Sequence, residues 1–275
     1  MTATSCPPLP APPESECRSP APLRRGWRPR RVWPLVWLLC ALLATAVFVQ
    51  WPQLDLWVSE AVHHPQSGFL WRDSPWVTAL YVAIPWVGRI ALLLCLAAAL
   101  WPRQRLRPGR PSRWHRRSLA LLAVLLVGLW GAVNAGLKEW VGRPRPVAVQ
   151  AFGGPHPFHT LGQSSPACQR NCSFVSGHAA TGFVVMALGM AGTPRVRRRW
   201  ALAGLAAGAV AGLGRILQGG HFFSDIVFAG LVIAAVCLLL RRLWVMWRWL
   251  RRRHARRARL QVAPQAGQPV QPQPG

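Results

Sequence analysis

Acidic side chains are scarce in this 275-residue chain: seven Asp and Glu stand against 33 Lys and Arg, a formal net charge of +26. Charged residues of both signs make up only 15% and hydrophobic ones 52%, whereas a soluble globular domain carries about a quarter charged residues. No group of Asp, Glu, His or Cys has metal-ligand spacing, so neither a metal nor another cofactor is expected. Zinc-finger spacing and a basic helix followed by a zipper are absent too. The arginines cluster in short runs between apolar stretches of membrane-spanning length, which excludes nucleic acid as the reason for the basicity and points to a membrane protein. Lysine is all but missing. The preference for Arg carries no chemistry in itself, but it makes the single exception, Lys138, worth following.

What is present is a series of apolar runs. Six membrane helices are expected: Trp33 to Trp51, Val77 to Trp101, Ser118 to Lys138, His178 to Gly192, Trp200 to Leu217 and Phe222 to Leu240. The fold class is an all-α polytopic bundle, with a membrane core over 33–240 between two tails. Residues 1–32 read as a disordered basic, Pro-rich tail and 261–275 as a Pro/Gln tail. No small-residue cleavage site follows the first apolar run, which therefore reads as a membrane helix and not a signal peptide. Residues 241–260 interleave Trp244, Trp247 and Trp249 with arginines, as a segment lying on an anionic leaflet would. The segment Leu54 to Val62 reads as a short amphipathic turn on the opposite interface. Gly204, Gly208 and Gly212 recur every fourth residue, a small-residue stripe that predicts a tightly packed central helix.

Arginine counts set the orientation. The N-terminal tail holds six, 102–117 seven, 194–199 four and 241–259 nine, all on one side of a six-helix arrangement. That side is the cytoplasm, with both termini there. Residues 52–76, 139–177 and 218–221 face outward, to the periplasm if the cell has an outer membrane. Cys168 and Cys172 lie in the outward loop. An oxidising compartment lets them close a local disulfide, and the alternative is two free thiols.

The polar residues that do occur collect at the outward helix ends. Lys138 ends the third helix and is followed by Gly142-Arg143-Pro144-Arg145-Pro146, where glycine and prolines stop the helix and can fold the arginines back. Clustered Arg and Lys suit phosphate, Arg as a planar fork and Lys as a point charge. Ser176-Gly177-His178 opens the fourth helix: Ser176 is a good N-cap, Gly177 lets the backbone approach closely, and the first-turn amides form an anion site at which His178 points. Arg215 ends the fifth helix. His221 and Asp225 open the sixth four residues apart, so in a helix they share one face, and a carboxylate there makes the imidazole an activated base or nucleophile. Asp225 also precedes a long apolar stretch, where a carboxylate reads as functional. With no metal spacing, hydrolysis at such a site would use a histidine nucleophile, and the partner implied is a phosphorylated lipid.

Lys138 with Arg145-Pro146, then Ser176-Gly177-His178, then Arg215 with His221 and Asp225, resembles the three-part signature of the type 2 phosphatidic acid phosphatase (PAP2) superfamily, which also holds the vanadium haloperoxidases. The resemblance spans about residues 118–226. It departs at Val175, where the family commonly has Pro, and at Gly214, where it has Ser; neither position carries chemistry. The resemblance implies a PAP2/haloperoxidase-type bundle and a double displacement. His221 is the nucleophile, Asp225 its orienting partner, and His178 the acid and later the base. Lys138, Arg145, Ser176, Gly177 and Arg215 hold the phosphoryl oxygens, with Arg143 behind them. The loop from Val147 to Cys172, with Phe152-Gly153-Gly154, is then a lid or head-group reader. The run from Cys168 to His178 is similar to the lipid A 4'-phosphatase subgroup. Undecaprenyl diphosphate or phosphatidylglycerophosphate phosphatases and lipid phosphotransferases share the same core. A membrane scaffold with a vestigial site is the non-enzymatic alternative, against which the intact signature speaks.

Overall fold

The computed structural model describes residues 32–100 and 112–262. Nearly all of both expected tails, and the arginine-rich loop through residue 111, lie outside the described residues. The elements in order are α1 (Val32–Gln50), α2 (Gln53–Glu60), a hairpin of β1 (His63–His64) with β2 (Gly68–Phe69), and α3 (Pro75–Leu100). Then come α4 (Arg113–Val124), which passes through wider i→i+5 turns over Leu125–Leu137 into α5 (Lys138–Val141), and α6 (Gly177–Phe183), which tightens into 3-10 turns over Val184–Gly189. Finally α7 (Pro194–Leu217) and α8 (Phe223–Val262) complete the bundle. The architecture is all-α and polytopic.

Two populations of helices divide the work. In the most apolar stretch of α1 and of α3 only 6% of residues are buried, against 44% in α7 and 33% in α8. Apolar side chains left outward on α1 and α3 suit hydrocarbon, where no water penalises them. α6, α7 and α8 build the interior around Val175, Ala180, Phe183, Ile226, Ala229 and Ile233. The glycine stripe of α7 makes this possible. A Cβ at Gly208 would run into the Phe183 ring and one at Gly212 into Ile226, so both neighbours sit where only glycine leaves room.

Several sequence expectations are corrected. Five helices are long and apolar enough to cross a membrane among the described residues, not six. The fourth expected span is the shorter Gly177–Gly189, capped by Ser176 and wound tightly at its end, so packing against α7 shelters it where length alone does not carry it across. The start of α7 lies at Pro194 instead of Trp200, because Thr193 accepts a hydrogen bond from the Val196 amide and Pro194 occupies the first turn. Residues 241–260 are no separate element; they continue α8 without a break. Along this extension Arg248, Arg251 and Arg253 stack on Trp244, Trp247 and Trp249, each pair four residues apart. The stretch around Leu54 is the helix α2, and its sheltered side is polar: Asp55 is 2% and Ser59 1% exposed.

Candidate active site

Four chain segments meet at one end of the bundle. The α4–α5 helix delivers Lys138, and its wide turns leave that side chain 8% exposed while Glu139 and Trp140 stay outside. Gly142 then turns the chain with φ +63°. A side chain there would strike the Ser165 carbonyl, so only glycine lets the Arg143–Arg145 segment fold back. Lys138 Nζ donates to Asn171 Oδ1 at 2.8 Å, and Arg145 donates to the Asn171 carbonyl at 2.9 Å. Asn171 lies between Cys168 and Cys172, which are bridged with their Cα atoms 5.6 Å apart.

Ser176 caps α6 by accepting from the Ala179 amide, and its own amide donates to the Asp225 carbonyl at 3.2 Å. Gly177 lies against Lys138: a Cβ there would sit 3.5 Å from Nζ. His178 stacks on Tyr81 of α3 with ring centroids 5.0 Å apart, and its Nε2 donates to the Tyr81 carbonyl at 3.1 Å, leaving Nδ1 free. The Arg215 guanidinium packs 4.7 Å from the centre of the same tyrosine ring. It also lies across Gly220, where any side chain would collide with it. Arg215 Nε is buried without a partner, a donor that protein structures seldom leave unused.

His221 sits in the turn just before α8, so the shared helix face expected of His221 and Asp225 becomes a turn contact. Its Nδ1 lies 2.7 Å from the Ser173 carbonyl and 3.5 Å from Asp225 Oδ2. A carbonyl only accepts, so Nδ1 carries the proton and Nε2 keeps its lone pair. Burial pushes the His221 imidazole down to about 4; Asp225 opposes this, and the charges of Arg215 and Lys138 add to it. The ring is therefore neutral near pH 7. Asp225 in turn accepts from the Ser173 hydroxyl, from the Phe222 amide at 2.8 Å and from Arg143 at 2.9 Å.

All the sequence-predicted site residues thus gather here. Three further groups were missed. Tyr81 supports His178 and Arg215, Asn171 bridges Lys138 and Arg145, and Asp55 accepts from Arg143 at 2.8 Å and from the Ser224 amide at 2.7 Å. Tyr81 could have been suspected as the only tyrosine of the chain. Among the described residues Lys138, Arg145 and Arg215 form no ion pair, whereas Arg143 forms two. Three unpaired cations around a neutral imidazole with a free lone pair can hold an anion at a nucleophile.

A family model described as the PAP2 superfamily matches residues 118–251. A lipid A 4'-phosphatase of Francisella tularensis subsp. novicida is 40% identical over 121 residues, 43% of this chain and 54% of that protein. A lipid A 4'-phosphatase of Rhizobium leguminosarum is 31% identical over 225 residues, 75% of this chain and 94% of that protein. A lipid A 4'-phosphatase of Rhizobium etli is 33% identical over 162 residues, 54% of this chain and 61% of that protein. The chain therefore spans about half the length of the first relative, more than half of the third and nearly all of the second. No solved structure matches.

Proposed function

The chain belongs to the PAP2 superfamily, and from that premise we propose that it is a phosphatase that removes the 4'-phosphate of lipid A at the outer, periplasmic face of the membrane, through a phosphohistidine. The observation that carries the reading is the trio of Lys138, Arg145 and Arg215, none of them ion-paired among the described residues, set around the neutral His221 with an unused donor at Arg215 Nε. The substrate comes from the names of the relatives, and the face from the arginine asymmetry.

In this scheme the ester phosphate sits among Lys138, Arg145, Arg215, Ser176 and the Gly177 amide. His221 Nε2 attacks phosphorus while Nδ1–H stays on Ser173 and Asp225. The P–N bond forms as the P–O bond to the sugar breaks; His178 enters this step as the imidazolium, its Nε2–H kept on the Tyr81 carbonyl, and gives the Nδ1 proton to the departing oxygen. Water then attacks the phosphohistidine and loses a proton to His178. The P–N bond breaks, and free phosphate leaves with His221 restored. Charge building on the phosphoryl oxygens meets side-chain cations where other phosphatases use a metal ion.

The test is phosphate release by purified protein from lipid A, undecaprenyl diphosphate and phosphatidate, with and without a chelator. Lipid A should be cleaved in both conditions, and His221→Ala should release none while still inserting in the membrane. Cleavage of undecaprenyl diphosphate alone would remove the substrate assignment, and an active His221→Ala would remove the nucleophile.

A further inference from the structure

Asp55 belongs to no signature motif, and it sits on α2, outside the long helices. It is nevertheless 2% exposed, and both carboxylate oxygens are engaged. Oδ1 accepts the Ser224 amide at 2.7 Å; Oδ2 accepts the Ser224 hydroxyl at 2.5 Å and Arg143 at 2.8 Å. α8 opens at Phe222-Phe223, and phenylalanine has no oxygen to cap the first-turn amides. Asp225 reaches back to the Phe222 amide, and Asp55 supplies from another helix the acceptor that an N-cap side chain ordinarily provides to the second residue. Arg143 spans the two acids: one terminal nitrogen meets Asp225 at 2.9 Å and the other meets Asp55. Its Nε is fixed on the His159 carbonyl at 3.0 Å, and its face lies 4.3 Å from the centre of the Phe222 ring.

We infer that Asp55 is a positioning residue for the reaction, acting through Arg143 and Ser224 on the Asp225–His221 pair. A neutral acceptor would suffice if α2 needed only to dock. Charge makes the difference. Burial and the neighbouring Asp225 push the Asp55 carboxyl up while Arg143 and Ser224 hold it down; with Asp55 ionised, one guanidinium shared by two carboxylates leaves the buried trio a net negative charge behind His221. That excess favours the positive charge that His221 takes on as its Nε2 bonds to phosphorus. With Arg143 serving Asp225 alone, the group behind the nucleophile would be neutral.

The inference rests on the phosphohistidine reading, so its test has one arm that needs no turnover. In protein with 15N-labelled histidine, Asp55→Asn should displace the His221 Nδ1–H resonance and Asp55→Glu should largely return it. In kinetics on lipid A, Asp55→Asn should lower kcat by roughly 10- to 100-fold with KM within about twofold, because misplacing a reacting group by small amounts has effects of that order. Asp55→Glu should recover part of the loss. A merely structural role predicts a different pattern: Asn turns its NH2 toward Arg143 and breaks the buried pair, so the melting temperature would fall while kcat per folded molecule stayed that of the parent protein. An unmoved resonance, or Asp55→Asn turning over like the parent protein, overturns the inference. If the parent protein cleaves no lipid phosphate, the functional reading fails instead, and the resonance still decides the role of Asp55. Should Asp55→Asn fold poorly, Asp55→Ser, shorter but still an acceptor, takes its place in the labelled sample with the same expected displacement.

Discussion

Arg143 and Arg145 are separated by one proline and have opposite surroundings. Arg143 is 1% exposed, paired with Asp55 and Asp225, and packed against Phe222. Arg145 is half-buried, meets a backbone carbonyl, and has no carboxylate partner among the described residues. The side chains are chemically identical, so the placement of two acids decides the division of labour. Where the acids are, arginine is a strut; where they are lacking, its charge stays uncompensated, as the proposed phosphate site requires. The polar end of this bundle is thus two layers, a paired one behind the histidine and an unpaired one in front of it.

The contrast can be broken most directly at the strut. Arg143→Met would strand two buried carboxylates, and breaking such a network costs roughly 3–5 kcal/mol. Thermal unfolding followed by the fluorescence of the 16 tryptophans should show a large drop or loss of the folded state. Arg143→Lys should not restore it, because one ammonium cannot span both acids. Melting like the parent protein would show that Arg143 is no strut.

Arg145→Met should do the converse. Its melting should match the parent protein, while phosphate release falls about 100- to 1,000-fold, the size associated with removing one donor from a charge-stabilising site. Equal damage to folding and activity at both positions would erase the distinction between the layers.

The smallest effect is that of pH. His221 titrates at about 4 in the folded chain, below the 6.5 of an ordinary histidine, so the folded state binds its proton less readily than the unfolded one. Its contribution to stability is complete above about pH 6.5 and is lost as the pH falls toward 4. His221→Gln should therefore melt with a shallower pH dependence than the parent protein over that interval. The acid limb of activity should likewise lie well below 6.5, and a limb at 6.5 would place the nucleophile elsewhere.

The front layer was legible because its members follow one another in short motifs at helix ends, and because Lys138 stands out in a chain of arginines. The back layer was only half legible. Asp55 lies 88 residues from Arg143, in a stretch whose alternation of polar and apolar residues reads as an interfacial helix. Nothing local says that the polar side turns inward. Helix ends slipped for a related reason. Hydropathy reports depth in a membrane, but α7 and α8 continue into arginine-rich sequence, where caps and not apolarity set the limits. Thr193-Pro194 is such a signal, and it stands six residues before the apolar run that drew attention. The expected fourth span runs three residues past the helical turns, which end at Gly189, where the Gly192 amide closes a turn on the Gly189 carbonyl at 2.9 Å.

The front layer also has a consequence for the resting enzyme. Lys138, Arg145 and Arg215 are held together by glycines and a bridged loop and meet no carboxylate among the described residues, so like charges are kept close without neutralisation. Any small oxyanion offsets them. On the proposed reading, free phosphate carries the same charged oxygens as the ester, and added phosphate should slow turnover.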